Sequence, residues 1–345
     1  MRYINFKALV LEGKRKISLK YVTFKEKLKS NQVIVKKNFS GICGKQIEEY
    51  THQKGVDKFI PHLLGHEGSG KIVKIGPNVK NFRIGDHVVI HWMRNSNISD
   101  SKTPIFNYRN SNKKINAGWV TTFSEYSVIS SNRITKINKK IDMKLAALMG
   151  CCLSTGIGTV FNQAKISKYD SPLVVGCGGV GLSVIIGLKL KNLKNISAAD
   201  IKNINLKKAK NLGANTTLKL KKNKLKRFKS KFNKVFITTG SKIAIENAIF
   251  CAADKSDIYF VGVPSPNDKI SIKPFEIHNG KKLHPSSGGD IIPNKHIPIY
   301  IEKLKSKSKI LKSFIINEIS INKAPNIILS MSKGKLNYGR NLIKF

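Results

Sequence analysis

One stretch near the middle of the chain, Leu173-Val174-Val175-Gly176-Cys177-Gly178-Gly179-Val180-Gly181, restricts the fold more than any other. The short apolar run reads as a buried parallel strand, a Gly-x-Gly-x-x-Gly turn follows at once, and residues 182–190 read as a helix. In that context Gly176 permits the reversal, Gly178 lets a pyrophosphate approach the backbone, and Gly181 lets the helix sit close to the sheet. Gly179 and Val180 complete the cofactor-binding turn, and the N-terminus of the helix beyond it faces the phosphates. Asp200 closes the unit, 22 residues after Gly178 at the end of the apolar residues 196–199. It is placed to accept hydrogen bonds from an adenosine ribose, and its charge opposes a 2′-phosphate, which predicts NAD rather than NADP.

The chain of 345 residues suits two domains, and 41% hydrophobic residues suffice for packed cores. No apolar run approaches the length of a bilayer span, and the opening Met1-Arg2-Tyr3-Ile4-Asn5 has no secretory stretch, so a cytoplasmic protein without membrane association is expected. Five cysteines, an odd number without a repeating framework, argue against a disulfide-stapled fold and leave thiols for metal or catalysis. The net charge of +43 would draw polyanions by counterion release if it were gathered on one face. The lysines are instead scattered through every segment, and no helix-turn-helix, RNP-type or zinc-finger pattern accompanies them, so no specific nucleic acid is expected. The densest basic run, residues 219–234, reads as a surface helix or loop.

Taken in order, residues 7–11 and 32–36 predict strands, and residues 70–75 and 85–90 around Gly76-Pro77-Asn78 continue a small antiparallel barrel in an all-β opening domain. Residues 93–114 read as a long surface loop, 123–129 as a strand, and 144–161 as helical around Gly150-Cys151-Cys152. After the glycine turn, residues 204–213 predict a helix ending on glycine, 234–238 a strand, 243–252 a helix and 258–263 a strand. Such alternation implies a parallel sheet covered on both faces. Further on, residues 270–272 are expected as a sheet-edge strand, Ser286-Ser287-Gly288-Gly289 as a turn, 297–304 as a helix and 341–345 as a final strand.

Three residues of the first half have metal-ligand chemistry and sit in glycine-rich turns: Cys43, His66 and Cys151, with Glu67 beside the histidine. Two sulfurs and one imidazole nitrogen suit a tetrahedral zinc that keeps one position for water or substrate. Their spacing lacks the close Cys-x-x-Cys pattern of a self-evident metal site, and a free cysteine is often simply buried.

The order of the motifs is more telling. Gly41-Ile42-Cys43-Gly44, Gly65-His66-Glu67-Gly68-Ser69-Gly70, Gly76-Pro77-Asn78-Val79, Gly85-Asp86-His87-Val88 and Gly150-Cys151-Cys152-Leu153-Ser154-Thr155-Gly156 closely resemble the zinc-dependent medium-chain alcohol dehydrogenases. The Gly176 turn, Val261-Gly262-Val263-Pro264 and Gly339-Arg340 extend the resemblance over nearly the whole chain. It implies a mainly β GroES-like barrel with an α/β Rossmann domain, divided as residues 1–152, 153–287 and a return to the barrel at 288–345. It also implies that Cys43, His66 and Cys151 ligate one catalytic zinc, with Glu67 a near or alternating ligand. Thr155 would lie against the nicotinamide, Val263 would contact the cofactor through its backbone, Arg340 would reach the pyrophosphate, and Trp92 would wall the substrate pocket. Cys152, Cys177 and Cys251 match no ligand position and are assigned to packing.

Two departures stand out. Residues 93–114 contain no cysteine, so the second, structural zinc of many relatives is not expected. Lys45 stands where the family usually has a Ser or Thr that relays the alcohol proton. A neutral lysine could take that proton if burial and a nearby cation disfavoured its ammonium; otherwise it points to solvent or pairs with Glu48. The implied activity is hydride transfer between a primary or secondary alcohol, or the matching aldehyde or ketone, and NAD (EC 1.1.1.-), in a homodimer or homotetramer. A polyol or sugar-alcohol dehydrogenase of the same fold is one alternative; a relay-impaired basic protein that binds anions or nucleic acid is another.

Overall fold

A computed structural model describes residues 3–53, 55–95, 99–220, 228–307, 310, 314–335 and 339–345. Two β-sheets build the barrel part. The first runs β4 (His62–Leu63), β1 (Tyr3–Gly13), β2 (Lys16–Lys25), β7 (Phe106–Tyr108), β8 (Lys114–Ile115). The second runs β10 (Ile134–Ile137), β6 (His87–His91), β5 (Glu67–Ile75), β3 (Gln32–Ile42), β18 (Arg340–Lys344), β17 (Ile315–Ser320), with β9 (Tyr126–Ser130) also paired to β3. β18 lies antiparallel on β3, with Asn341 opposite Ile42, so residues from both ends of the sequence close one sheet. Leu9, Leu11, Ile42, Phe123 and Ile343 are buried together beneath α9 (Ala324–Ser332), which covers that side.

The third sheet is parallel throughout, in the order β13 (Thr216–Lys219), β12 (Ser197–Asp200), β11 (Pro172–Val175), β14 (Phe232–Ile237), β15 (Ala252–Phe260), β16 (Lys282–Pro285). Numbered from β11, this is the doubly wound order 3-2-1-4-5-6, whose reversal between β11 and β14 opens a crevice at the carboxyl ends of the strands. Pro172–Val175 is buried on both faces, which is why it reads as an unbroken apolar run. One face is covered by α4 (Gly179–Leu190), together with residues of α5 (Asn203–Asn211). α6 (Lys242–Cys251) covers the other.

Two short helices join the parts: α2 (Met143–Leu148) lies on β5 and β3, and α3 (Cys152–Gly158) lies on α4. The approach of α3 to α4 is made at Gly156, where a Cβ would stand 2.5 Å from that of Ser183 and 2.7 Å from the Val180 carbonyl and Val184 nitrogen. α8 (Pro293–Leu304) packs on α3 and β10.

Several expectations need correction. Residues 93–114 are not a loop throughout, because Phe106 and Ile115, both fully buried, anchor β7 onto β2 and β8 onto β7. The opening domain is not all-β, since α1 (Gly44–Thr51) follows Cys43. The strand expected from residue 123 begins at Tyr126. Residues 270–272 form no strand: Ile270 and Ile272 pack singly against the core beside α6, and the outer strand of the parallel sheet is β16. The turn at 286–289 tightens into a single 3-10 turn, Gly288–Asp290. Within the basic run 219–234, residues 221–227 lie outside the described residues, Lys219 ends β13 and Phe232 begins β14.

Candidate metal centre and nucleotide cleft

β3 delivers Cys43, in extended backbone, as the residue that caps α1. His66 follows Gly65, whose φ of +93° lies in the left-handed region, and a Cβ there would strike Thr122 and Phe123. Cys151 precedes α3. The two thiol sulfurs and one imidazole nitrogen lie within 4.8 Å of one another. His66 Nε2 is buried and has no hydrogen-bond partner, while Nδ1 is 2.6 Å from the Gln46 side-chain nitrogen. An orphaned imidazole nitrogen beside two thiols fits a zinc ion in chemistry and in spacing.

The electrostatics agree. The hydrogen bond with Cys151 and the Arg340 guanidinium, 3.4 Å from Cys43 Sγ, hold the Cys43 thiol well below its usual range despite burial. Cys151, its partner in that bond, is pushed up. Burial disfavours the His66 imidazolium, but the negative charge of the Cys43 thiolate beside it, with Glu67 and Glu49, outweighs that and raises His66. Cys152, Cys177 and Cys251 are buried thiols raised by desolvation, as packing residues should be.

Glu67 opens β5 and is fully buried, in space left by Gly41, where a Cβ would come within 2.4 Å of its carboxylate. Its carboxylate is engaged by other groups: Oε1 is 2.7 Å from Arg340 Nε, and Oε2 accepts the Cys152 N–H at 3.4 Å. Burial pushes this carboxyl up, and Arg340 offsets part of that push. Arg340 also faces the glycine turn, since its Nη1 lies 2.5 Å from where a Gly179 Cβ would be. One guanidinium thus touches the metal-side carboxylate, a cysteine sulfur and the N-terminus of α4. The sequence did not reveal this link.

On the nucleotide side, Gly176 has a φ of +91° and Gly181 packs so closely that a Cβ would sit 1.8 Å from the Gly176 carbonyl, whereas the space beside Gly178 is open. Asp200 Oδ2 accepts the Cys177 N–H at 2.7 Å, and Oδ1 accepts from Lys202 N–H at 2.7 Å and the Asn205 side chain at 3.2 Å. Thr155 on α3 is buried and its hydroxyl has no partner. Val263 and Pro264, beyond β15, face Glu48 of α1 across a cavity of about 280 Å³ that Gly240, Ser265 and Asp268 complete. A second cavity, of about 320 Å³, lies between α1 and residues 55–59. Lys45 lines it, with Nζ 2.6 Å from Glu48 Oε2. Trp92 lies against Gly288 and borders neither cavity.

Gln46 is the functional residue the sequence reading missed. Buried to 1% exposure, it accepts the Cys43 N–H at 3.0 Å and meets His66, tying two residues of the Cys-His-Cys cluster with one side chain. A signal was present: a glutamine three residues after a helix cap is the second half of a capping box.

A GroES-like barrel, a parallel nucleotide-binding sheet and a Cys-His-Cys cluster between them define a zinc-binding dehydrogenase architecture. Residues 29–139 match the alcohol dehydrogenase GroES-like domain and residues 179–306 the zinc-binding dehydrogenase domain. An S-(hydroxymethyl)glutathione dehydrogenase of Photobacterium damsela subsp. piscicida is 25% identical over 340 residues, covering 89% of this chain and 91% of that protein. Alcohol dehydrogenase 6 of Peromyscus maniculatus is 27% identical over 336 residues, covering 89% of each. The crystal structure of an alcohol dehydrogenase zinc-binding domain protein from Burkholderia ambifaria superposes with a TM-score of 0.90 at 19% identity, covering 100% of both chains. The chain belongs to the zinc-containing medium-chain alcohol dehydrogenase family and is a zinc-dependent, alcohol dehydrogenase-like oxidoreductase. Among the described residues, no helix is long and apolar enough to cross a membrane.

Proposed function

We propose that this protein oxidises primary or secondary alcohols with NAD, or reduces the matching aldehydes and ketones with NADH, at one zinc held by Cys43, His66 and Cys151. The observation that carries the reading is the gathering of two sulfurs and a His66 ring nitrogen within 4.8 Å, with His66 Nε2 buried and unpartnered. Zinc bound there supplies a Lewis acid that stabilises negative charge developing on the substrate oxygen.

The remaining roles fall to the chain's own groups. The glycine turn and the N-terminus of α4, with Arg340 Nη1 beside Gly179, receive the pyrophosphate. Asp200, held by the Cys177 N–H, faces the adenosine ribose, and its negative charge supports NAD over NADP. The free hydroxyl of Thr155 and the backbone of Val263 orient the nicotinamide. Glu67, paired with Arg340, keeps the guanidinium beside Cys43 and serves as a neighbour of the metal more than a ligand to it. Because Lys45 is ion-paired, we assign uptake of the alcohol proton to its partner Glu48, which borders both cavities, with Lys45 holding that carboxylate in place. A cytoplasmic homodimer or homotetramer rests on the family likeness and on β16, whose outer edge pairs with no strand among the described residues.

A panel of alcohols and aldehydes followed by NADH absorbance, run with NAD and NADP on protein of known zinc content, tests the reading. About one zinc per chain and turnover that favours NAD are expected. Cys43→Ala is expected to lose both metal and turnover, and a fully active variant would contradict the zinc mechanism.

A further inference from the structure

We propose that the cavity between α1 and residues 55–59 receives the non-reacting end of the substrate and that Glu49 binds a protonated amine there, making short amino alcohols or amino aldehydes the preferred class. The inference rests on the dehydrogenase reading of the adjoining metal centre.

α1 presents two faces. Gln46 points inward to His66, while Lys45, Glu48, Glu49 and His52, spaced as i, i+3, i+4 and i+7, line the cavity of about 320 Å³. Cys43 caps this same helix, so cavity and metal centre lie within its length of eight residues, about 12 Å at 1.5 Å per residue. Glu49 lies six residues after Cys43, about 9 Å along the axis, a gap that a substrate oxygen at the metal centre, three methylenes and an ammonium bridge together.

Acidic groups are scarce in a chain with 63 lysines and arginines against 20 aspartates and glutamates, and most near this cavity are engaged. Glu48 is paired with Lys45 at 2.6 Å. Asp57 meets His62 Nε2 at 2.7 Å and accepts the Phe59 N–H at 2.9 Å. Glu49 differs: among the described residues its side chain makes no hydrogen bond and no ion pair, and Lys58, which also lines the cavity, lies beyond ion-pair distance of it. Its side chain is open to solvent, yet the surrounding walls desolvate it and push its carboxyl up, against the opposing charge of His66 and His62. An accessible but partly desolvated carboxylate without a partner is what a bound cation would satisfy. Val56 and Phe59, 87% and 71% exposed, add apolar surface at the rim for the methylenes between amine and hydroxyl.

The test is calorimetric titration of the zinc-loaded protein with three probes of equal length: terminal aminopropanol, trimethylene glycol and n-butanol. A charge-assisted hydrogen bond predicts that aminopropanol binds about tenfold or more tightly than either neutral probe. Glu49→Gln is expected to erase that preference and leave n-butanol affinity unchanged, while Glu49→Asp keeps part of it. Equal affinity for amine and glycol, no measurable binding of the amine, or a preference that survives in Glu49→Gln would overturn the proposal. Turnover measured alongside separates the two readings. An amine preference without oxidation of any alcohol fells the dehydrogenase and leaves the cavity assignment standing, whereas n-butanol oxidation without an amine preference does the reverse.

Discussion

Gln46 offers one amide to two neighbours whose needs conflict once a metal is bound. Its oxygen accepts the Cys43 N–H and its nitrogen faces His66 Nδ1, an arrangement that suits an imidazole with its proton on Nε2. A metal on Nε2 moves that proton to Nδ1 and sets two donors against each other. Turning the amide repairs this but strands the Cys43 N–H. A carboxylate would accept from both. Gln46→Glu is therefore expected to tighten zinc binding by about tenfold, measured by competition with a chromogenic chelator; unchanged or weaker binding would refute the account. The three residues proposed to bind the metal were legible because each sits in a glycine-flanked turn. Gln46 was not, since a glutamine in a polar helix reads as surface, and its role depends on His66, 20 residues away.

At the scale of elements, α3 fixes how the two halves of the site meet, because Cys151 immediately precedes it, it carries Thr155 and it rests on α4 through Gly156. Gly156→Ala would push a methyl against backbone atoms of Val180 and Val184, and overpacking of this kind costs about 1–3 kcal/mol. The expected result is a lower urea midpoint together with weaker NADH binding by fluorescence titration. Gly44→Ala, where a Cβ meets nothing within 4 Å, serves as the neutral control, and equal behaviour of the two variants would refute the role given to α3. The alternating strands and helices around the glycine turn were readable because each parallel strand is a short, doubly buried apolar run. Residues 270–272 misled for a related reason: Ile-Ser-Ile has the alternation of a strand, but burying two isoleucines needs only a core to rest on, with no neighbouring strand to pair. β7 and β8 escaped notice because a single buried side chain in each, Phe106 and Ile115, outweighs a polar setting.

At the scale of the whole molecule, the surplus of 43 positive charges sits outside the chemistry proposed for the site. Turnover is expected to change little between low and moderate salt, whereas any retention on an immobilised polyanion should fall steeply, roughly as a high power of salt concentration. Measuring both on one preparation separates the two, and parallel loss of activity and retention would mean that the charge serves the reaction after all. The contact between Glu67 and Arg340 joins positions 273 residues apart, and Arg340 belongs to a strand that must lie on β3 before its guanidinium can reach Cys43. Synthesis therefore produces all three residues proposed to bind the metal, Cys43, His66 and Cys151, long before the arginine that lies beside Cys43. The nascent chain carries the Cys43 and Cys151 thiols without the Arg340 charge for most of its synthesis, and the contact between Arg340 and Cys43 forms only once β18 has docked on β3.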